Sequence, residues 1–287
     1  MGNNIFVMLS GYFLINSKGL NFRKMLNLWL RMLFYAVIIY FLFVTFGDKA
    51  FSVKSMLKTF RPVTRSPWWF PATYFVMYLI HPYVNMLLHS FSQEEYKKFL
   101  LTIGLYWSII PMVTDAQFEA SNLIVFVCLY SLAGYIRLWG QDLGSKKYIL
   151  YGAMFVGLTF LTVVVLDVIG LKYQYFAKRS GYFHGMLRPF NVLAALCLLL
   201  GFKSLHLPYS KTINTFAFAT FGVYMLHDHD FTRKFLWLSV FRNASYQDSM
   251  YLIPYSLAVI VTVYLVCTMI ELLRSKLFRT LSRGRLS

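Results

Sequence analysis

Two of the six histidines stand where an imidazole could accept a proton from a substrate. His227 lies in the stretch YMLHDHD, and its neighbours Asp228, His229 and Asp230 could orient its ring or shift its pKa. Adjacent residues do not share a helix face, so Asp228 need not touch His227. His81 lies within an apolar run, in YLIHPY. Histidine is the commonest general base, so we predict both as catalytic candidates. The alternatives are a polar helix end for His227 and a neutral histidine bonded to a neighbouring helix for His81.

Three basic residues near the N-terminus could hold an anionic ligand: Arg23, Lys24 and Arg31. Arg23 and Arg31 are eight residues apart, which places them on roughly one face of a helix. Such cations bind phosphate through charge-assisted hydrogen bonds. The alternative is that they are anchors, with long side chains that extend along an apolar surface into water. The sequence has neither GxxxxGK[ST] nor GxGxxG, which disfavours nucleotide hydrolysis and nicotinamide binding.

The composition indicates that these residues are carried by membrane helices. The chain is 58% hydrophobic and 14% charged, whereas a soluble domain has about 25% charged residues. Continuous apolar runs of near span length predict a polytopic helical membrane protein. A net charge of +17 would suggest nucleic acid in a soluble chain. Here the basic residues lie between apolar runs, so we expect membrane lipids and not nucleic acid as partners. The three cysteines match no zinc motif, and we expect no metal.

Nine apolar segments organise the chain, and together they predict an all-α transmembrane bundle in a single domain over residues 1–287. The first segment is short for a membrane span. The segments cover residues 4–16, 28–46, 68–89, 99–114, 122–138, 147–168, 188–203, 212–227 and 251–272.

The charge distribution predicts the orientation of these segments. Residues 273–287 contain five Lys or Arg and no acidic residue, so the positive-inside rule places this tail in the cytoplasm. Counting back through nine crossings puts Met1 outside and Arg23 inside. The bias is weakened by two basic outside loops, residues 47–67 and 169–188. His227 then faces outside and His81 lies within the membrane, where ionisable groups are functional candidates.

Several stretches together resemble the acyltransferase-3 family, whose members are membrane proteins that move acyl groups, commonly acetyl, onto bacterial surface sugars. The stretch FVMLSGYFLI followed by NFRKMLNLWLRMLFY resembles the family's second helix and the loop after it. Later stretches resemble later helices of the family in the same order, and the resemblance extends from residue 5 to residue 278. These stretches are SPWWFPATYFVMYLIHPYVNMLL, CLYSLAGYIRLWG, TINTFAFATFGVYMLHDH and SLAVIVTVYLVCTMIELLRSKLF.

The resemblance also implies that an element is missing. Family members have ten helices, and the first carries an Arg and then a His that is the proposed catalytic base. This sequence starts at what resembles the second helix, so we expect an N-terminally incomplete domain. A wrong start site, a broken gene and a member without the usual base are the three explanations.

The family's activity assigns expected roles to the candidate residues. The resemblance implies that acetyl-CoA, the acyl donor, arrives from the cytoplasm near Arg23, Lys24 and Arg31. His227 matches the family's Gly-x-Tyr-x-x-His position, and it would take the proton from the accepting hydroxyl. The acceptor would be a polysaccharide or a lipid-linked glycan of the capsule or cell envelope, and the protein would lie in the bacterial plasma (inner) membrane.

Five residues are candidates for acceptor binding. Trp69 could stack on a sugar ring and Tyr74 could donate a hydroxyl, although an aromatic belt at the membrane surface is the alternative. Lys178, Arg179 and His184 lie in a basic outside loop that could attract an anionic glycan. Anionic lipid head groups are the alternative ligands of this loop.

Two other functions remain open from the sequence. The chain could be a membrane transporter of a glycan or of its lipid-linked precursor, because polar residues within the membrane suit either class. It could also be an inactive truncated remnant. Transfer of label from acetyl-CoA to a glycan separates the enzyme from both alternatives.

Overall fold

The computed structural model describes residues 1–47, 49–114, 116, 118–140 and 143–283. Their regular secondary structure is helical, with turns and loops between the helices, and the described residues contain no strand. Arg285 of the predicted basic tail lies outside the described residues. The chain divides into two compact units, and each is considered by itself. The first unit comprises Met1–Met25 and Thr73–Leu207, and the second comprises Leu26–Ala72 and Pro208–Ser287.

The helices follow the apolar runs, and a helix lies at each of the nine predicted segments. In chain order the α-helices are α1 (Gly2–Leu14), α2 (Phe22–Thr45), α3 (Val53–Thr59), α4 (Trp69–Ser90), α5 (Gln93–Gly104), α6 (Ile110–Thr114), α7 (Asn122–Trp139), α8 (Lys147–Gly170), α9 (Gln174–Ala177), α10 (Pro189–Lys203), α11 (Lys211–His227), α12 (Asp230–Lys234) and α13 (Leu252–Arg283). A π-helical turn at Leu105–Ile109 joins α5 to α6, and another at Phe235–Val240 follows α12.

Five helical stretches of the described residues are long and apolar enough to cross a membrane. They are Phe22–Thr45, Asn122–Trp139, Lys147–Gly170, Gln174–Lys203 and Leu252–Thr280. The prediction of a helical membrane bundle is therefore confirmed. The single-domain prediction for residues 1–287 stays a prediction.

Close helix packing organises the first unit, where α1 packs on α7 and α8 packs on α10. Gly11 of α1 lies against the backbone of Tyr130 on α7, and a Cβ at Gly11 would overlap that backbone. Beside it, the Ser10 hydroxyl donates to the Phe6 carbonyl at 3.0 Å and to the Tyr74 hydroxyl at 3.2 Å. The Ser-Gly pair thus allows α1 and α7 to approach closely, as small residues commonly do between helices of membrane proteins.

Two helices differ from the sequence prediction. The last apolar segment was predicted to end at residue 272, but α13 continues to Arg283. Lys and Arg are good helix formers, and no Gly or Pro follows Pro254 until Gly284, so nothing in the sequence ends the helix earlier. Within the predicted loop 47–67, α3 forms because the Ser52 side chain caps it by accepting from the Ser55 N–H at 3.4 Å.

Candidate active site

His227 is the last residue of α11, and its ring is held by the helix itself. Its Nδ1 lies 2.7 Å from the Val223 carbonyl oxygen, one turn earlier. A carbonyl only accepts, so Nδ1 carries the proton and Nε2 is the basic atom of the neutral ring. Within the described residues, Nε2 of His227 has no hydrogen-bond partner. The half-buried imidazole is therefore oriented and still able to accept a proton.

The acidic neighbours of His227 have another partner. Arg233 lies 3.4 Å from the Asp228 carboxylate and 3.0 Å from the Asp230 carboxylate. Among the described residues, the structure records no hydrogen bond from the His227 ring to either carboxylate. Orientation of His227 thus comes from the Val223 carbonyl, and the two acids bind Arg233.

Trp68 supports the end of α11 from inside the second unit. Its side chain is fully buried, and its Nε1–H donates to the carbonyl of Met225 at 3.1 Å. Its ring meets the His229 ring edge to face, with centroids 5.2 Å apart. His229 in turn caps α12, because its Nδ1 accepts from the Phe231 N–H at 3.2 Å. Trp68 thus holds the turn of α11 that ends at His227.

His229 is kept neutral by its surroundings. Burial, helped by the positive charges of Lys49 and Arg233, lowers its pKa from 6.5 to about 4. His229 resists protonation, and its Nδ1 already accepts from the Phe231 N–H, so it serves as a helix cap. We therefore do not consider it as the base, unlike His227.

This pKa shift makes stability depend on pH in a defined window. Between about 4 and 6.5 the unfolded chain binds a proton at His229 that the folded chain excludes, so folding stability decreases as the pH falls through this range. Above pH 6.5, His229 is neutral in both the folded and the unfolded chain, so folding stability is not reduced by its titration. His229→Asn keeps a capping acceptor but cannot titrate. We expect the unfolding temperature of the wild type to fall more than that of the variant between pH 6.5 and 4. Parallel curves would contradict the assignment.

Arg31 belongs to a buried ionic cluster in the second unit. Its guanidinium lies 3.7 Å from the carboxylate of Glu271 on α13, whose side chain is fully buried. Arg274 donates to the two oxygens of Glu271 at 2.8 and 2.6 Å, and the Tyr35 hydroxyl also donates to the carboxylate. We name Arg31, Tyr35, Glu271 and Arg274 the Glu271 cluster.

The other two predicted donor-binding residues are in a different setting. Arg23 and Lys24 are exposed in the first turn of α2, where the Asn21 side chain accepts from the Lys24 N–H at 3.0 Å. Both belong to the first unit, whereas Arg31 belongs to the second. Their role stays a prediction.

His81 lies in the middle of α4 and is almost completely buried in the first unit. Its Nδ1 lies 2.6 Å from the Tyr78 carbonyl oxygen, and its Nε2 has no hydrogen-bond partner among the described residues. The ring is therefore oriented in the same way as that of His227, with Nε2 as its basic atom. One turn further along α4, Asn85 donates to the carbonyls of Leu14 and Ser17.

The predicted acceptor-binding aromatics differ in exposure. Trp69 is 41% exposed, whereas the adjacent Trp68 is fully buried. Tyr74 accepts the hydrogen bond from Ser10 and its ring meets Phe6 edge to face, with centroids 5.1 Å apart. Trp69 is thus partly exposed at a surface of the second unit, while Tyr74 is part of the packing between α1 and α4.

The basic loop of the first unit is exposed but well anchored. Lys178 and His184 are exposed, and the Arg179 guanidinium lies 4.4 Å from the centre of the Tyr175 ring. The buried side chain of Asn191 donates to the His184 carbonyl at 2.6 Å and to the Gly185 carbonyl at 3.1 Å. These two hydrogen bonds anchor the backbone at His184, one of the three predicted residues of this loop.

Sequence reasoning did not single out Glu271, and it treated Trp68 together with Trp69 as one aromatic surface. A signal existed for Glu271, because a lone carboxylate in the apolar last segment is expensive in a membrane unless it is paired. Trp68 stands in the same SPWWFP stretch as Trp69, and the sequence offers no signal that ranks one above the other. No group of three or more His, Cys, Asp or Glu is placed to hold a metal ion in the part of the chain that the structure describes.

The comparisons with known proteins address the chain as a whole. A family model described as an acyltransferase domain matches residues 1–272. No curated protein and no solved structure matches significantly. The family match confirms the resemblance drawn from the sequence, and with the apolar helices it identifies an integral membrane protein with an acyltransferase domain. The chain belongs to the acyltransferase-3 family.

Proposed function

We propose that this protein transfers an acetyl group from acetyl-CoA to a hydroxyl of a bacterial surface polysaccharide, in the inner membrane. Family membership supports a membrane acyltransferase in general. The donor, the acyl group, the acceptor and the bacterial membrane are the proposed part. The observation that carries the proposal is the geometry of His227, an oriented imidazole with an unengaged Nε2 at the end of a helix.

The proposed reaction uses His227 as the base. Nε2 of His227 takes the proton of the acceptor hydroxyl while the hydroxyl oxygen attacks the thioester carbonyl carbon. The tetrahedral intermediate then collapses, the carbon–sulfur bond breaks, and the proton passes to the CoA thiolate. The products are the acetylated sugar and free CoA. His81 has the same ring arrangement in the first unit and is the second candidate for this role.

Binding of the two substrates is assigned to different sets of cations and aromatics. We assign the CoA phosphates to Arg23, Lys24 and Arg31, which are basic residues on the predicted cytoplasmic side. We assign acceptor binding to five residues, considered one by one. Trp69 offers a ring for stacking, Tyr74 offers a hydroxyl, and the basic loop offers Lys178, Arg179 and His184. Anionic membrane lipids are the further partners expected for a chain of this charge.

A label-transfer assay tests the function. Membranes that contain the protein are incubated with radiolabelled acetyl-CoA and an envelope glycan, and label in the glycan is counted against membranes without the protein. Transfer that requires the protein supports the proposal. Relocated but unlabelled glycan would indicate a transporter. If the glycan is neither labelled nor relocated, the protein is an inactive remnant.

The acceptor assignment makes a prediction about charge. Lys178→Glu with Arg179→Glu reverses two positive charges on the anchored loop, so an anionic glycan loses its local attraction. We expect the apparent KM for an acidic glycan to rise about tenfold or more. The KM for an uncharged glycan serves as the control and should not change. Unaltered kinetics with the acidic glycan would contradict the assignment.

A further inference from the structure

The carboxylate of Glu271 is the centre of the Glu271 cluster, and it is shared unequally by two arginines. Arg274 makes a two-pronged hydrogen-bonded pair with it at 2.8 and 2.6 Å. Arg31 lies 3.7 Å away, which is within ion-pair distance but too long for a hydrogen bond. Glu271 therefore attracts the guanidinium of Arg31 but accepts no hydrogen bond from the N–H groups of Arg31.

Aromatic rings fix the other side of Arg31. Its guanidinium carbon lies 5.5 Å from the centre of the Phe218 ring and 5.6 Å from that of Phe221, both on α11. Such cation–π contacts orient a guanidinium but leave its in-plane donors available. Among the described residues no hydrogen bond of the Arg31 side chain is recorded, and the side chain is 23% exposed. Its donors thus remain for a ligand that reaches it from the surface.

The charges of the cluster do not balance. Two guanidinium groups surround one carboxylate, and Tyr35 contributes only a neutral hydroxyl. A partly buried charge without a partner is unfavourable, so the remaining positive charge favours an anion beside Arg31. A guanidinium fork matches the geometry of a phosphate group.

The position of the carboxylate is set by a neighbouring glycine. A Cβ at Gly222 on α11 would overlap the carboxyl group of Glu271. The absence of a side chain at this position lets α11 and α13 approach with the carboxylate between them. An added methyl group would displace Glu271 while leaving every charge of the cluster in place.

We propose that Glu271 is a positioning residue, which directs the guanidinium of Arg31 toward a phosphate group of the acyl-CoA donor. The inference rests on the proposed function and deepens it, because it gives the donor site a buried support on α13. A purely structural ion pair would link α2 to α13 without any effect on donor affinity. The two roles are separable by kinetics.

A double-mutant cycle tests the proposal. We would measure KM for acetyl-CoA and kcat for the wild type, Arg31→Ala, Gly222→Ala and the combined variant. Arg31→Ala removes a charge-assisted hydrogen bond, so KM should rise about tenfold. Gly222→Ala should raise KM comparably with little loss of kcat. The KM of the combined variant should exceed that of either single variant by less than about twofold, because both changes remove the same interaction.

A glycine with open space around it provides the matched control. Gly157 on α8 has no atom within 4 Å of an added Cβ, so Gly157→Ala should leave KM unchanged. If the increases in KM of the two single variants multiply in the combined variant, the proposal is overturned. A loss of kcat or of stability in Gly222→Ala with an unchanged KM would also overturn it. If Gly222→Ala does not fold, Glu271→Asp takes its place, since it retains the charge and withdraws the carboxylate.

A binding measurement separates this inference from the proposed function. Free CoA is titrated into the protein in nanodiscs of zwitterionic lipid, an assay that needs no transfer. Weaker CoA binding by Arg31→Ala and by Gly222→Ala supports the positioning role even if no glycan is labelled. An effect of Arg31→Ala that appears only as altered binding of anionic lipid vesicles would assign the site to a lipid phosphate and overturn the donor role.

Discussion

Replacement of His227 by glutamine is expected to lower acyl transfer by about two to four orders of magnitude, the usual contribution of a general base. Glutamine has a similar length and can still form hydrogen bonds, but it cannot take a proton from a sugar hydroxyl. Because the Val223 carbonyl holds Nδ1, the loss falls on the unengaged Nε2. The measurement is the rate of label transfer at saturating acetyl-CoA, which should decrease with little change in KM.

Two further histidine variants make this result interpretable. His206 is exposed, and His206→Gln is the matched control that should keep full activity. His81→Gln tests the second candidate base. Near-normal transfer by His227→Gln together with a loss in His81→Gln would move the base to α4.

The second large effect is expected on stability. Trp68→Ala removes a fully buried indole that shares one hydrophobic core cluster with Met32, Tyr35 and Met225. It also leaves the Met225 carbonyl without the donor that now lies at 3.1 Å. Loss of a buried tryptophan costs about 3–5 kcal/mol. Denaturant or thermal unfolding of the purified protein should show this loss, and activity should fall because the last turn of α11 is no longer supported.

The adjacent tryptophan provides the control. Trp69 is 41% exposed, so Trp69→Ala should change the free energy of unfolding by about 1 kcal/mol or less. If Trp69 binds the acceptor, the same variant should raise the KM for the glycan. Equal destabilisation by both variants would mean that the burial difference between them does not govern stability.

The helices were predictable because long apolar runs leave the backbone no alternative inside a membrane. The close approach at Gly11 was predictable for a similar local reason, since a Ser-Gly pair in a membrane helix allows tight packing. The end of α13 was not, because hydropathy ends at residue 272 whereas helix propensity continues through Lys276 and Arg279. The end of the apolar run indicates where the helix can leave the lipid, but it does not determine where the helix ends.

The candidate site was predictable only in part. His227 and His81 could be selected by residue type and position, but the carbonyls that orient their rings are backbone atoms of the same helix and leave no mark in the sequence. The partners of Arg31 could not be found at all, because Glu271 is 240 residues away along the chain and the pairing depends on tertiary packing. Choosing between Trp68 and Trp69 likewise requires knowing which side of the chain meets α11.

The length of α13 has a mechanical consequence. Its 32 residues span about 48 Å at about 1.5 Å per residue, whereas the hydrocarbon core of a bilayer is about 30 Å thick. The last turns therefore project beyond the lipid as a stiff basic rod, continuous with the part that carries Glu271. A spectroscopic probe placed on this rod at Thr280 would move as one body with the buried carboxylate, and it could report motions of α13 from outside the membrane.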